Sequence, residues 1–163
     1  MVGNSGSNDT RGKDCQRYGF RSQFSAYMAA KALAPVLARE LGKSRKAAYL
    51  VPDYTYGHSV YDSMKQFTEQ RGRKTVSEQL APLGTTDFSS YLLNIANSGA
   101  DVFVNVAFGE DAVASTKQAQ QFGVMKNMKY VVPNINLRAS MCRRTPASRC
   151  TLSANLQRRR RAC

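Results

Sequence analysis

Apolar and polar positions along this chain follow two rhythms in turn. From Ser22 onward, Phe24, Tyr27, Met28, Leu33, Val36, Leu37 and Leu41 recur close to the helical period, which predicts an amphipathic helix. Pro35 lies inside that stretch and is expected to kink or break it. Gly42 is the expected stop. The stretch KAAYLVPDYTYGHSVYDS (46–63) then reads as a buried strand over 47–51 and a turn through Pro52, Asp53 and Gly57. A helix over 58–71 follows, with Val60, Tyr61, Met64 and Phe67 on one face and Gly72 at its end.

The same sequence of elements then repeats. A strand is expected over 75–80 and a turn at LGTTDF (83–88), where Thr86 or Asp87 can cap the next helix. That helix places Phe88, Leu92, Ile95 and Ala96 inward and stops at Gly99. ADVFVNVA (100–107) is almost continuously apolar, as suits a parallel strand covered on both faces. Its turn, FGED (108–111), leads to a helix carrying Val113, Thr116, Ala119 and Phe122 and ending at Gly123, with a last strand over 128–132 before Pro133 and Asn134. Four helices thus end at glycines spaced thirty, twenty-seven and twenty-four residues apart. Repeated helix-plus-strand units of that length predict an α/β fold, a three-layer open parallel sheet. Uniform crossover handedness then gathers the strand-end turns on one edge.

From Asn136 the periodicity stops. The stretch to Cys163 holds eight of the 24 basic residues, none of the 11 acidic ones, and three of the four cysteines. The formal charge of +13 therefore reduces to sixteen bases against eleven acids in the rest of the chain. The expected organisation is a loop segment over 1–21, an α/β unit over 22–135 and a basic, low-order tail over 136–163. Such a composition buries too little apolar area to offset chain entropy. A shifted reading frame in GC-rich coding sequence accounts for it best, with a genuine basic tail as the alternative. The run Arg158 to Arg161 lacks interleaved aromatics, so no specific nucleic-acid partner is expected. No run of about 18 apolar residues marks a membrane span. The N-terminus as written has no apolar signal-peptide core.

The chemistry on offer points to binding rather than catalysis. GxSxG, Walker-type GxxxxGK[ST] and GxGxxG motifs are absent, and a single histidine excludes the usual Cys/His zinc spacing. No cofactor, metal or catalytic constellation is expected. His58 reads as a surface residue, and Glu110 and Asp111 as acids placed at a helix N-terminus by its dipole. The edge turns offer Asp53, Tyr54, Tyr56, Thr85, Thr86, Phe108, Asp111 and Asn134, a set suited to a small polar molecule. Half-buried turn aromatics are the alternative account of Tyr54 and Tyr56.

With these turns in view, residues 12–135 resemble the type I periplasmic substrate-binding proteins of ABC transporters. The nearest branch is the leucine/isoleucine/valine-binding-protein family with its amide- and urea-binding relatives. GKDCQRYGFR (12–21), SAYMAAKALAPVLAREL (25–41) and YLVPDYTYGHSVYDSMK (49–65) carry the likeness. QLAPLGTTDFSSYLLNIANSGADVFVNVAFG (79–109) and QAQQFGV (118–124) continue it in the family's order. The resemblance implies one lobe of a two-lobe clamp, partner to transporter permease subunits, with the other lobe missing from this partial chain. Alone it would then bind weakly. By similarity Tyr56 matches a ligand-contacting tyrosine, and Phe108 an aromatic packing on the ligand. Asn134 stands where amino-acid binders carry an acid for the ligand ammonium. A neutral amide there favours an amide, urea or other small polar solute over a standard α-amino acid. The expected ligand-binding set is Tyr54, Tyr56, Thr86, Phe108 and Asn134. The family is periplasmic, whereas this chain as written would stay in the cytoplasm. A stand-alone flavodoxin-like small-molecule-binding domain is the alternative.

Overall fold

The computed structural model describes residues 6–21, 24–42 and 46–133. After a 3-10 turn at Asp9–Arg11, the elements run α1 (Ala26–Leu41), β1 (Lys46–Pro52), α2 (Thr55–Glu69), β2 (Lys74–Ala81) and α3 (Ser89–Asn97). Then come β3 (Val102–Asn105), α4 (Gly109–Gln121), the short α5 (Val124–Asn127) and β4 (Lys129–Val131). Among the described residues these strands form one sheet in the order β2-β1-β3-β4, with every pairing parallel. The expected α/β architecture is therefore present. Asn134 and the 136–163 tail lie outside the described residues.

Alternation along the strands splits the core into two layers. Ala47, Tyr49 and Val51 of β1, Val102 and Val104 of β3, and Val131 of β4 pack under α1 and α2. Ala48, Leu50 and Phe103 face the other way, onto Leu92 and Ile95 of α3 and Ala119 of α4. Every residue of β1 after Lys46 is buried, as expected of a central strand between two helix layers. A buried Leu or Phe contributes about 1.5–3 kcal/mol by leaving water, so these two layers hold the sheet's helices in place.

Local signals account for most boundaries. Ser25 caps α1, its hydroxyl accepting from the Met28 amide at 3.2 Å. Gly42, Gly72, Gly99 and Gly123 all have positive φ, as the helix-stop reading requires. Several expectations need correcting: the N-cap of α3 is Phe88 rather than Thr86 or Asp87, although Asp87 Oδ1 accepts from the Ser89 amide at 2.9 Å. α1 continues through Pro35. Pro35 and Lys31 are both exposed, so the carbonyl deprived of a donor can be met by water. α2 starts at Thr55, three residues early, which puts Gly57 inside the helix rather than in the turn. A Cβ there would lie 2.1 Å from the Pro52 carbonyl oxygen, so glycine is what lets the first helical turn lie against the strand end. On α4 the buried stripe is Ala112, Ser115 and Ala119, while Phe122 is exposed; Ala96 of α3 is exposed as well. Of the anticipated α4 stripe Ala119 is buried as expected, while Ala112 and Ser115 replace Val113 and Thr116 because Ser115 bonds to a buried strand residue (below).

The first residues also do more than loop. Ser7 Oγ lies 3.2 Å from Ser59 Oγ, and Asn8 Nδ2 donates to Ser63 Oγ at 3.0 Å, pinning this segment along α2.

Candidate functional site

In an open parallel sheet the carboxyl ends of all strands share one edge, and a crevice opens where the strand order reverses. Here the chain passes from β1 outward to β2, then returns to place β3 on β1's other side. The reversal therefore lies between β1 and β3. The residues leaving those two strands start helices on opposite faces of the sheet, α2 and α4. Tyr54 is the N-cap of α2 and Phe108 the N-cap of α4, both in extended backbone. These two aromatic residues thus follow the two strands on either side of the reversal.

Neither N-cap side chain closes a hydrogen bond onto its own helix. The amino-terminal amides of α2, whose first turn carries no acid, present the positive end of the helix dipole to the rim. Phe108 is 46% exposed, a large apolar ring offered to solvent. Tyr54 is half-buried, with its ring centroid 5.9 Å from that of Tyr56. Burial above all, then the neighbouring Tyr56 and Asp111, pushes the Tyr54 phenol above its ordinary range and keeps it a neutral donor.

Backbone and side-chain tethers hold the rim together. The Asp53 amide donates to the Ala81 carbonyl at 2.8 Å, joining the turns after β1 and β2. The Gly84 amide donates to the Asp111 carboxylate at 3.1 Å, joining the β2 turn to the start of α4. His58 is not isolated: its Nε2 sits 2.9 Å from Asp53 Oδ1 in an exposed pair beside Tyr54. Asp111 thus has a structural use that a first-turn acid alone does not reveal.

The predicted site residues do not all share one place. Tyr54 and Tyr56 are neighbours, and Phe108 stands across the reversal from them. The Tyr56 ring, however, packs on the α1/α2 core and against Gly6, where a Cβ would fall 2.4 Å from its Cε2. Thr86 is exposed, and its carbonyl accepts from Gln118 Nε2 at 2.7 Å. Gln118 lies nine residues into α4 from Gly109, about 13 Å of helical rise, so this part of the loop descends beside α4. Gln118 Oε1 also accepts from the Phe88 amide at 2.7 Å. Asn134 falls outside the described residues.

Sequence reasoning missed the polar group beneath the rim. Asn105, fully buried at the end of β3, donates to Ser115 Oγ at 2.9 Å and to the Tyr130 hydroxyl at 2.8 Å. Its Oδ1 accepts from the Ala107 amide at 3.0 Å. The available signal was the lone amide inside the apolar run VFVNVA, since a polar residue in a covered strand needs partners. Among the described residues no group of three or more His, Cys, Asp and Glu side chains is placed to hold a metal ion. No described helix is long and apolar enough to cross a membrane.

Comparison with known proteins agrees with this geometry. The sequence pattern of the periplasmic binding proteins matches residues 1–139. Leu/Ile/Val-binding protein homolog 7 of Brucella abortus is 33% identical over 102 residues, which is 63% of this chain and 25% of that protein. The chain thus spans about a quarter of the length of this relative. An amino acid ABC transporter substrate-binding protein from Pseudomonas fluorescens superposes with a TM-score of 0.71 at 27% identity, covering 77% of this chain and 34% of the other. A solute-binding protein of an ABC transporter from R. palustris, solved in complex with 4-hydroxybenzoate, gives a TM-score of 0.67 at 26% identity over 79% of this chain and 34% of the other. A parallel sheet with a crevice at its strand-order reversal, together with a family pattern matching most of the chain, shows that this chain belongs to the periplasmic binding protein family.

Proposed function

We propose that this chain supplies one face of the solute-binding site of an ABC importer. The solute would be an amino acid or a related small polar molecule. The observation that carries the reading is the placement of Tyr54 and Phe108 at the N-termini of α2 and α4, either side of the β1/β3 reversal. Rings on two sides, a neutral phenol donor and unshielded helix amides suit a flat molecule with a carbonyl or carboxylate. Asp53 is bonded by His58, Asp111 by the Gly84 amide and Asp87 by Ser89, which leaves these acids less available to an ammonium group. This favours amides, urea-like solutes and planar carboxylates over standard α-amino acids. The 4-hydroxybenzoate bound by the R. palustris protein is a solute of that kind.

A single face holds its ligand weakly, because a clamp gains affinity from contacts on both sides. The test is an NMR titration of the ¹⁵N-labelled full chain with leucine, isoleucine, valine, acetamide, urea and 4-hydroxybenzoate. The expected result is weak binding, about millimolar or weaker, with shifts concentrated in 53–57, 82–85 and 106–111. Phe108→Ala should abolish those shifts. Shifts confined to the opposite edge, around Lys46, Lys74, Asp101 and Lys129, would overturn the reading.

A further inference from the structure

We infer that Asn105 is a positioning residue for the rim, setting where Phe108 stands from below; this rests on the reading of that rim as a solute-binding face. The last β3 amide to reach β1 is that of Val106, which donates to the Leu50 carbonyl at 2.9 Å. Beyond it the chain peels away from the sheet, and the next amide, that of the buried Ala107, has no strand to pair with. Asn105 Oδ1 accepts it at 3.0 Å, a side-chain mimic of the lost ladder bond. Phe108 follows immediately and begins α4. The orientation of the turn that carries the exposed ring is therefore set by one buried amide side chain.

That amide is itself held without slack. An amide N–H only donates, so the oxygen of Asn105 must face Ala107, and both Nδ2 protons are left for Ser115 and Tyr130. Ser115 Oγ donates in turn to the Asp111 carbonyl at 2.7 Å, and the Tyr130 hydroxyl lies 2.7 Å from Thr116 Oγ1. One network thus ties the end of β3, the first two turns of α4 and β4 together. Asp111, whose carbonyl Ser115 engages, holds the Gly84 amide through its carboxylate. A residue with no exposure to solute fixes the geometry of those that have it.

The test compares the full chain with Asn105→Leu, which keeps roughly the volume and removes every hydrogen bond, and with the milder Tyr130→Phe. Thr68→Val serves as control, because it removes a buried hydroxyl bonded to Tyr49 on the other face of the sheet. Hydrogen exchange of the Ala107 amide should accelerate about tenfold in Asn105→Leu beyond any change in Thr68→Val, with displaced Phe108 resonances. Tyr130→Phe should give a smaller change of the same sign, and it keeps the comparison open if Asn105→Leu does not fold. For whichever solute the wild-type chain binds, affinity should fall several-fold in the same order, while Thr68→Val leaves it unchanged. Unaltered Ala107 exchange, or equal acceleration in the control, would overturn the positioning role. Absence of solute binding by the wild-type chain would instead remove the solute-binding reading, leaving the exchange result to judge Asn105.

Discussion

The two faces of the sheet are built differently. Against the sheet, the layer under α1 and α2 is apolar apart from the Tyr49 hydroxyl, 3.2 Å from that of Thr68, while the buried Ser59 and Ser63 of α2 turn instead to Ser7 and Asn8. Under α3 and α4 the layer includes Asn105, Ser115 and Tyr130, and its loops are tied by Gln118 and Asp111. An apolar contact is non-directional and tolerates small sliding, whereas a hydrogen bond specifies an orientation. The first face is therefore suited to holding the fold, and the second to placing the rim. The buried arginine follows the same division. Arg73 donates to the Leu37 and Gly42 carbonyls at 3.3 Å each, closing the C-terminus of α1 rather than serving the rim.

The largest test of this contrast is a pair of core truncations. Phe103→Ala, on the α3/α4 face, is expected to cost about 4 kcal/mol in urea denaturation. Leu37→Ala on the other face should cost somewhat less, about 3 kcal/mol. The contrast breaks if both disturb the 106–111 amides equally. Only Phe103, whose ring centroid is 5.3 Å from that of Tyr130, touches the polar network.

Gly57→Ala comes next. Forcing a Cβ toward the Pro52 carbonyl should cost about 3 kcal/mol and tilt the first turn of α2. Retained stability with unchanged Tyr54 resonances would show that this turn is not seated on the strand end.

Tyr49→Phe should cost about 1 kcal/mol, since Thr68 keeps its bond to the Met64 carbonyl. It also sharpens the pH behaviour. Burial raises the Tyr49 phenol above its ordinary value of 10.0, and burial with the nearby Glu78 raises Tyr61. A raised folded value means that the neutral phenol's contribution is fully present below pH 10.0 and is lost as pH climbs toward the folded values. Denaturation at rising alkaline pH should show that fall in the wild type and a shallower one in Tyr49→Phe.

The smallest effect belongs to the rim tether. Asp111→Ala should cost about 0.5 kcal/mol or less, the bond being exposed. It should nevertheless accelerate exchange of the Gly84 amide. No acceleration would mean that the β2 turn is held by the Asp53 to Ala81 and Gln118 to Thr86 bonds without it.

Much was legible in the sequence because it is local. Helical periodicity and the four stop glycines each act within about a turn of chain, so the α/β order could be read residue by residue. Segments such as YLVPDYTYGHSVYDSMK (49–65) added the likeness to periplasmic binding proteins. What no local pattern carries is which strands become neighbours. The order β2-β1-β3-β4 places Tyr54 and Phe108 after the two strands on either side of one reversal although 54 positions separate them in the chain. It also sends Thr86 down beside α4 and turns the Tyr56 ring toward Gly6. Asn105 reads as a flaw in an apolar strand until Ser115 and Tyr130 arrive beside it. Gly57 reads as a turn residue until α2 meets the end of β1. Those outcomes depend on contacts between segments distant in sequence, which form only once the sheet has closed its layers.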